Sequence, residues 1–306
     1  MTAGPDQPST RRQEPRTVVV VGASAGLGRA AAHQLAAQGA RLVLAARSEE
    51  SLERARQECV GRGAAEVLVV PTDIGERAVV EALFGGATER FGRLDGVVHA
   101  AAVLAYGIFE DVPADVFDRV ITTNVLGTTN VARCTLQAFS DQGSGAFVVV
   151  GSVLAKTAAP YMASYCMSKW ATHGLVRTLQ LEARGRPGVH VSLVSPGGVD
   201  TPIYDQAGSY TGRPGRPPPP VVSPERVART VVRALDRPGR DISVGPANRL
   251  MVAGFRLLPG VYDVLVGPLM RLLGQGKEAT PAHPGNVFEP VPAGEAVHGR
   301  WPHIWG

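Results

Sequence analysis

Seven short runs of apolar, largely β-branched residues recur along this chain, at Val18–Val21, Leu42–Ala45, Val67–Val70, Gly96–His99, Phe147–Val150, Val189–Val194 and Ile242–Val244. Each is continuous rather than alternating, so a strand built from it must be covered on both faces. The stretches between them are Ala-rich and charge-bearing, helical in character, and supply the crossovers that parallel strands require. The pattern predicts a single doubly wound α/β domain over residues 17–246, a parallel sheet of about seven strands with helices on both faces. A chain of 306 residues is long enough to bury such a core, and no repeat of solenoid period interrupts it.

The flanks read differently. Residues 1–16 are polar, basic and Pro-containing, without the apolar core of a secretory signal, and are expected to form a disordered tail. Gly208 to Pro220 is rich in glycine and proline and is expected to be a mobile surface loop. Ser223-Pro224-Glu225 reads as an N-cap with proline at the first helical position, opening a helix that ends near Asp236. Residues 247–274 form an apolar, basic segment too interrupted by Arg and Pro to span a bilayer, and residues 275–306 a Pro- and Gly-rich tail outside the core. The net charge of +4 comes from 31 Lys and Arg scattered among 27 acids, which does not make a nucleic-acid surface. Cys59, Cys134 and Cys166 show neither a disulfide framework nor zinc-ligand spacing, so no metal is expected and a reducing cytoplasm suits them.

The first strand runs into Gly22-Ala23-Ser24-Ala25-Gly26-Leu27-Gly28 and then into an Ala-rich helix. Glycines let a pyrophosphate approach the main chain, and the helix that follows directs unpaired N–H groups and its positive dipole end at the phosphates. At the end of the second strand, where an acid would bind NAD ribose hydroxyls, stands Ala46, followed by Arg47. Arg47 suits a 2′-phosphate through a bidentate, charge-assisted contact, which favours NADP(H) over NAD(H).

Tyr165 and Lys169 lie four residues apart, on one face of a helix, so a phenol and an ammonium share a pocket. A neighbouring cation favours the phenolate and brings tyrosine toward useful acid–base chemistry. Ser152 follows the fifth strand, thirteen residues before Tyr165. With Asn124, these residues and the GxxxGxG turn resemble, in order and spacing, the short-chain dehydrogenase/reductase family. The resemblance implies a Rossmann-type fold and hydride transfer between a nicotinamide and a carbonyl or alcohol carbon. Ser152 would hydrogen-bond the reacting oxygen, Tyr165 would give or take its proton, Lys169 would lower the tyrosine pKa and hold the nicotinamide ribose, and Asn124 would hold a water linking Lys169 to solvent. Cofactor contacts are implied for Gly22, Ser24, Ala25, Gly26, Leu27, Gly28, Arg47, Asp73, Ile74, Ala100, Ala101, Tyr165 and Lys169, with Asp73 on the adenine amino group. Pro196-Gly197-Gly198-Val199-Asp200-Thr201 looks like the family's PGxxxT turn, adding Pro196, Gly197, Val199 and Thr201 beside the carboxamide. The chain departs from the family at His99-Ala100-Ala101-Ala102, where Asn-Asn-Ala-Gly is usual.

The residues expected around the substrate, Val103–Tyr106, Val153, Leu154, Ala158–Tyr161 and Val199–Tyr210, are mostly apolar, which points to a medium or large apolar ketone, aldehyde or secondary alcohol. Residues 247–273 would cover the substrate cleft, form a subunit contact or lie on an anionic membrane surface. Relatives of this type pair long helices, here Gly127–Phe139 and Ser164–Arg184, into homodimers or homotetramers. Two alternatives stay open: a catalytically silent NADP-binding scaffold or redox sensor, and an epimerase or dehydratase of the extended relatives.

Overall fold

In the computed structural model, which describes residues 14–303, all seven apolar runs form strands of one parallel sheet. They are β1 (Thr17–Val21), β2 (Arg41–Ala46), β3 (Glu66–Pro71), β4 (Gly96–His99), β6 (Gly145–Val150), β7 (Val189–Pro196) and β11 (Ile242–Val244), in the spatial order β11-β7-β6-β4-β1-β2-β3. Alternation along each strand divides the core. Val18 and Val20 of β1, Leu42 and Leu44 of β2 and Val148 and Val150 of β6 face one apolar cluster. Val19, Val21, Val43, Phe147 and Val149 face the other. The first cluster is completed by α1 (Gly26–Ala36), α2 (Glu49–Gly61) and α7 (Pro224–Asp236), the second by α3 (Arg77–Phe91), α5 (Gly127–Gln142) and α6 (Ala163–Glu182). Continuous apolar runs are what this two-sided burial demands.

The chain winds outward in one direction through β2 and β3 and in the other from β4, so the order reverses between β1 and β4. A crevice opens there at the carboxyl ends of the strands, the usual ligand position in such sheets. A short helix, α4 (Ala114–Ile121), leads into α5 through a widened π turn at Thr122–Leu126, which includes Asn124.

The glycine- and proline-rich segment is ordered, contrary to the expectation of a mobile loop. Gly208–Ser209 (β9) pairs in parallel with Ala105–Tyr106 (β5), and Val221–Val222 (β10) with Gly198–Val199 (β8). Its other partners come from the tail: Ser209 bridges His283, Gly215 bridges Gln275, and the Gly276 amide donates to the Pro214 carbonyl at 2.7 Å. Neither segment is a packed element alone, and each satisfies the other's backbone polar groups. Ser223 caps α7 as its sequence predicts, accepting from the Arg226 amide at 3.4 Å. Residues 1–13 of the expected N-terminal tail lie outside the described residues.

The apolar segment folds into two helices, α8 (Asn248–Leu257) and α9 (Pro259–Leu273), which stand against the crevice. Among the described residues no helix is long and apolar enough to cross a membrane. The described part of the tail beyond α9, expected to lie outside the core, is packed on the domain. Val287 is 0% exposed, inserted among Val103, Ala105, Val116 and Val120.

Candidate active site

The cradle begins where β1 ends. Gly22 has φ +88°, and a side chain there would press on the Ala101 main chain at 2.6 Å. A Cβ on Gly28 would lie 2.0 Å from the Gly22 carbonyl oxygen. The turn therefore closes onto the end of β4 and onto itself at two positions that only glycine satisfies. Gly22, Ser24, Ala25, Gly26 and Leu27 line one end of a continuous cavity of about 600 Å³, together with Ala46 and Arg47. It passes Ala100, Ala101 and Ala102, reaches Ser152, Tyr165 and Lys169, and is bordered by Pro196, Gly197, Val199 and Thr201. An elongated groove with a glycine turn and a helix N-terminus at one end fits a dinucleotide.

At the other end, Ser152 follows β6 and accepts a hydrogen bond from the Leu154 amide at 3.1 Å, which fixes the serine beside α6. The Ser152 hydroxyl also hydrogen-bonds the Tyr165 phenol. Lys169, one turn along α6, is buried with its Nζ 5.4 Å from the centre of the Tyr165 ring and donates to the Val150 carbonyl at 3.3 Å. Burial lowers the Lys169 ammonium to about 8. Burial also pushes the Tyr165 phenol well above its ordinary value, with the neighbouring Tyr204 and Cys166 adding to the rise and Ser152 opposing it. The phenol is held protonated because desolvation disfavours the phenolate more than the serine favours it.

Asn124 has a role the sequence does not suggest. Its side chain clamps the Val103 main chain, accepting from the Val103 amide and donating to the Val103 carbonyl, both at 2.9 Å, and donates to the Ser168 hydroxyl at 3.1 Å. Its own carbonyl accepts from the Thr128 hydroxyl at 2.6 Å. The clamp holds the start of the substrate wall against α6. His99 replaces the family's asparagine with a buried contact to the Thr128 hydroxyl at 2.9 Å. Burial holds its imidazole down at about 3, so it is neutral at physiological pH.

Three implied cofactor residues stand outside the cavity lining: Gly28, held against the Gly22 carbonyl, and Asp73 and Ile74. Asp73 is engaged by the Arg119 guanidinium and accepts from the Gly75 amide at 2.9 Å. Ile74 packs under Gly127. Arg47 lines the groove, but its donors are held by tail carbonyls, those of Asn286 at 2.6 Å, Val287 at 3.1 Å and Phe288 at 2.9 Å. The Gly26 amide in the turn donates to the Ala296 carbonyl at 2.8 Å. Asn286 and Glu295 of the tail thereby join the lining. Nothing in the tail's composition announces this. The signal is tertiary, because Arg47 and Gly26 belong to the sheet's crevice and their partners follow some 240 to 270 residues later.

The substrate side is apolar. Val103, Leu104, Val153, Leu154 and Ile203 face Leu250, Met251, Leu258, Leu265, Val266 and Leu269 of the α8–α9 hairpin across the cavity. The hairpin is tied down by the Tyr262 hydroxyl, which donates to the Ala158 carbonyl at 2.7 Å, and by Arg271, which donates to the Tyr161 hydroxyl at 2.7 Å. Asn248, at the start of α8, donates to the Ser195 and Val244 carbonyls at the sheet's end. The phenols of Tyr106 and Tyr204 are buried near Tyr165, and the Tyr106 hydroxyl has no hydrogen-bond partner. Among the described residues no group of His, Cys, Asp and Glu is gathered to hold a metal ion.

Residues 16–210 match the short chain dehydrogenase family. The uncharacterized oxidoreductase YxnA of Bacillus subtilis is 29% identical over 293 residues, 95% of this chain and 82% of that protein. An alcohol dehydrogenase from the archaeon Thermococcus sibiricus, solved with 5-hydroxy-NADP, superposes with a TM-score of 0.65 at 31% identity, covering 76% of this chain and 95% of that one. A short-chain dehydrogenase/reductase from Burkholderia phymatum, solved with NAD, gives a TM-score of 0.72 at 27% identity, covering 81% of this chain and 95% of that one. With a glycine cradle, a serine–tyrosine–lysine cluster and a seven-stranded parallel sheet in this arrangement, the chain belongs to the short-chain dehydrogenase/reductase family and is an NAD(P)-dependent oxidoreductase.

Proposed function

We propose that the protein interconverts a medium or large apolar ketone or aldehyde and its alcohol, with NADP(H) as cofactor. The observation that carries this reading is the single cavity in which the Ser152–Tyr165–Lys169 cluster faces an apolar wall at one end and meets the glycine turn at the other. The nicotinamide would supply or accept the hydride. Ser152 holds the substrate oxygen by a hydrogen bond, and Tyr165, protonated at neutral pH by virtue of its burial, donates the proton to that oxygen during reduction. Lys169 holds the ribose beside the tyrosine, and Asn124 would hold a water that links it to solvent. Arg47 supports the phosphorylated cofactor, since a phosphate makes stronger, charge-assisted hydrogen bonds than the neutral tail carbonyls now on its guanidinium.

Rates with NADPH and NADH on a panel of apolar and acidic carbonyls, with Tyr165→Phe as control, test this reading. Turnover of the apolar compounds with loss in the variant is expected. Preference for acidic carbonyls overturns the substrate class, and equal turnover by the variant removes Tyr165 from the reaction.

The exposed apolar side chains of α8–α9, Leu250 at 78%, Leu257 at 77% and Val264 at 72%, lie beside Arg249, Arg256 and Arg271 with Asp263 as the segment's one acid. They support peripheral docking on an anionic membrane, from which an apolar substrate reaches the cavity directly. Flotation with phosphatidylglycerol vesicles but not with phosphatidylcholine vesicles is expected, and flotation with neither sets this aside. Met167, Trp170 and Leu181, exposed on α6, support a homodimer or homotetramer built on that helix, which sedimentation velocity tests. The three cysteines are free and support a cytoplasmic setting.

A further inference from the structure

The carboxylate of Glu295 sits in the cofactor groove near the Arg47 guanidinium, whose donors are taken up by tail carbonyls rather than by the carboxylate. The tail brings it there by two main-chain ties to the glycine turn. The Glu295 carbonyl accepts from Arg29 at 3.1 Å, and the next carbonyl, of Ala296, accepts from the Gly26 amide at 2.8 Å. Arg29 itself is fixed from both sides, donating to the Ser24 carbonyl at 3.1 Å and to Glu58 at 2.7 and 2.9 Å. Glu295 lines the cavity beside Ser24, Ala25 and Arg47, and its Oε2 is buried with no hydrogen-bond partner. A buried carboxylate oxygen with no donor is costly, so it is either strained or waiting for one. The second strand lacks the acid that would take ribose hydroxyls, because Ala46 stands at its end.

We propose that Glu295 is a cofactor-specificity residue: supplied by the C-terminal tail, it accepts hydrogen bonds from the adenosine ribose hydroxyls and works against a 2′-phosphate, in opposition to Arg47. A hydroxyl is a donor and satisfies the orphaned oxygen. A phosphate is an anion without a proton to offer and meets like charge. The same tail segment covers the Arg47 donors with the carbonyls of Asn286, Val287 and Phe288, so the seated tail disfavours the phosphorylated cofactor twice over. The choice between the two dinucleotides is thus set by a balance between an arginine of the second βα loop and a glutamate almost at the end of the chain.

The inference rests on the cavity being a dinucleotide groove, and binding measurements separate the two claims. Isothermal titration of the full-length protein with NADH, NADPH, 5′-AMP and 2′,5′-ADP gives affinities independently of turnover. In Glu295→Gln, which keeps the side chain's size, NADPH and 2′,5′-ADP are expected to gain on NADH and 5′-AMP by roughly tenfold, the effect of one charge-assisted hydrogen bond. Arg47→Ala is expected to move the ratio the opposite way, and Glu295→Asp to keep part of the original ratio. An unchanged NADPH-to-NADH affinity ratio in Glu295→Gln, with both nucleotides still bound, overturns the role of Glu295 and leaves the cofactor reading intact. Failure of the unaltered protein to bind any of the four ligands overturns both. Should the glutamine variant unfold, the aspartate and alanine variants at Glu295 are read in the same way.

Discussion

At the scale of single residues, burial sets the protonation state of Tyr165 more than any neighbouring charge. Tyr165 is held protonated by desolvation, which suits an acid that delivers a proton during carbonyl reduction and opposes the phenolate that alcohol oxidation needs. Lys169 is the group that titrates near the working range, at about 8, because burial disfavours its charged form. The sign follows from these two shifts. Below about pH 8 the ammonium and the phenol are both protonated, and kcat/KM for reduction is expected to be flat. As pH rises through 8 the ammonium is lost while the phenol stays protonated, and reduction is expected to fall with the charge that holds the ribose. Lys169→Met is expected to remove the limb near pH 8, and pH–rate profiles in both directions measure it. A reduction profile that rises through pH 8 contradicts this account. Tyr165→Phe is expected to lower kcat by about 10²–10⁴-fold, the span of general acid catalysis, with nucleotide affinity little changed.

At the scale of elements, the glycine turn depends on approach distances rather than on charge. Gly28→Ala places a methyl 2.0 Å from the Gly22 carbonyl, so the first turn of α1 must separate from β1. A fall in melting temperature together with at least a tenfold weaker NADPH affinity is expected. Gly85→Ala, exposed within α3 and with nothing within 4 Å, is expected to stabilise by about 0.5–1 kcal/mol through helix propensity. Thermal unfolding of the two variants side by side checks both. The sheet was legible in the sequence for a related reason. Runs such as Val18–Val21 and Phe147–Val150 are apolar on both faces because both faces are covered, and that leaves a pattern in neighbouring residues. The cradle is one short turn, Tyr165 and Lys169 are one helical turn apart, and Ser152 follows the strand beside them, so the sequence spacing was enough to bring these residues to one cavity. The fates of Asp73 and Asn124 were not legible. Asp73 turns to Arg119 and Asn124 to Val103, and such pairings depend on which loops the fold brings together.

At the scale of the whole molecule, the chain closes on its own beginning. The tail passes from α9 over the Gly208–Pro220 segment, across Arg47 and the glycine turn, and on to Asp200, where the Trp301 amide donates to the carboxylate at 2.9 Å and His298 lies at 3.2 Å. Read as composition, residues 275–306 look like a solvated appendage, because the contacts that hold the described part of the tail to the domain are made with distant parts of the chain. If the tail is part of the folded body, it melts with that body. Val287 gives the cleanest test, since its side chain is fully buried between β5 and α4 while Val291, four residues on, is 42% exposed. Val287→Ala removes buried methyl groups and is expected to cost about 1–3 kcal/mol, visible as a drop of several degrees in the single unfolding transition. Val291→Ala is expected to leave that midpoint within about one degree, as a surface change does. A tail that merely rests on the domain would frustrate this: both variants would then melt with the unaltered protein, and the carbonyls over Arg47 would belong to a segment that leaves the groove without cost.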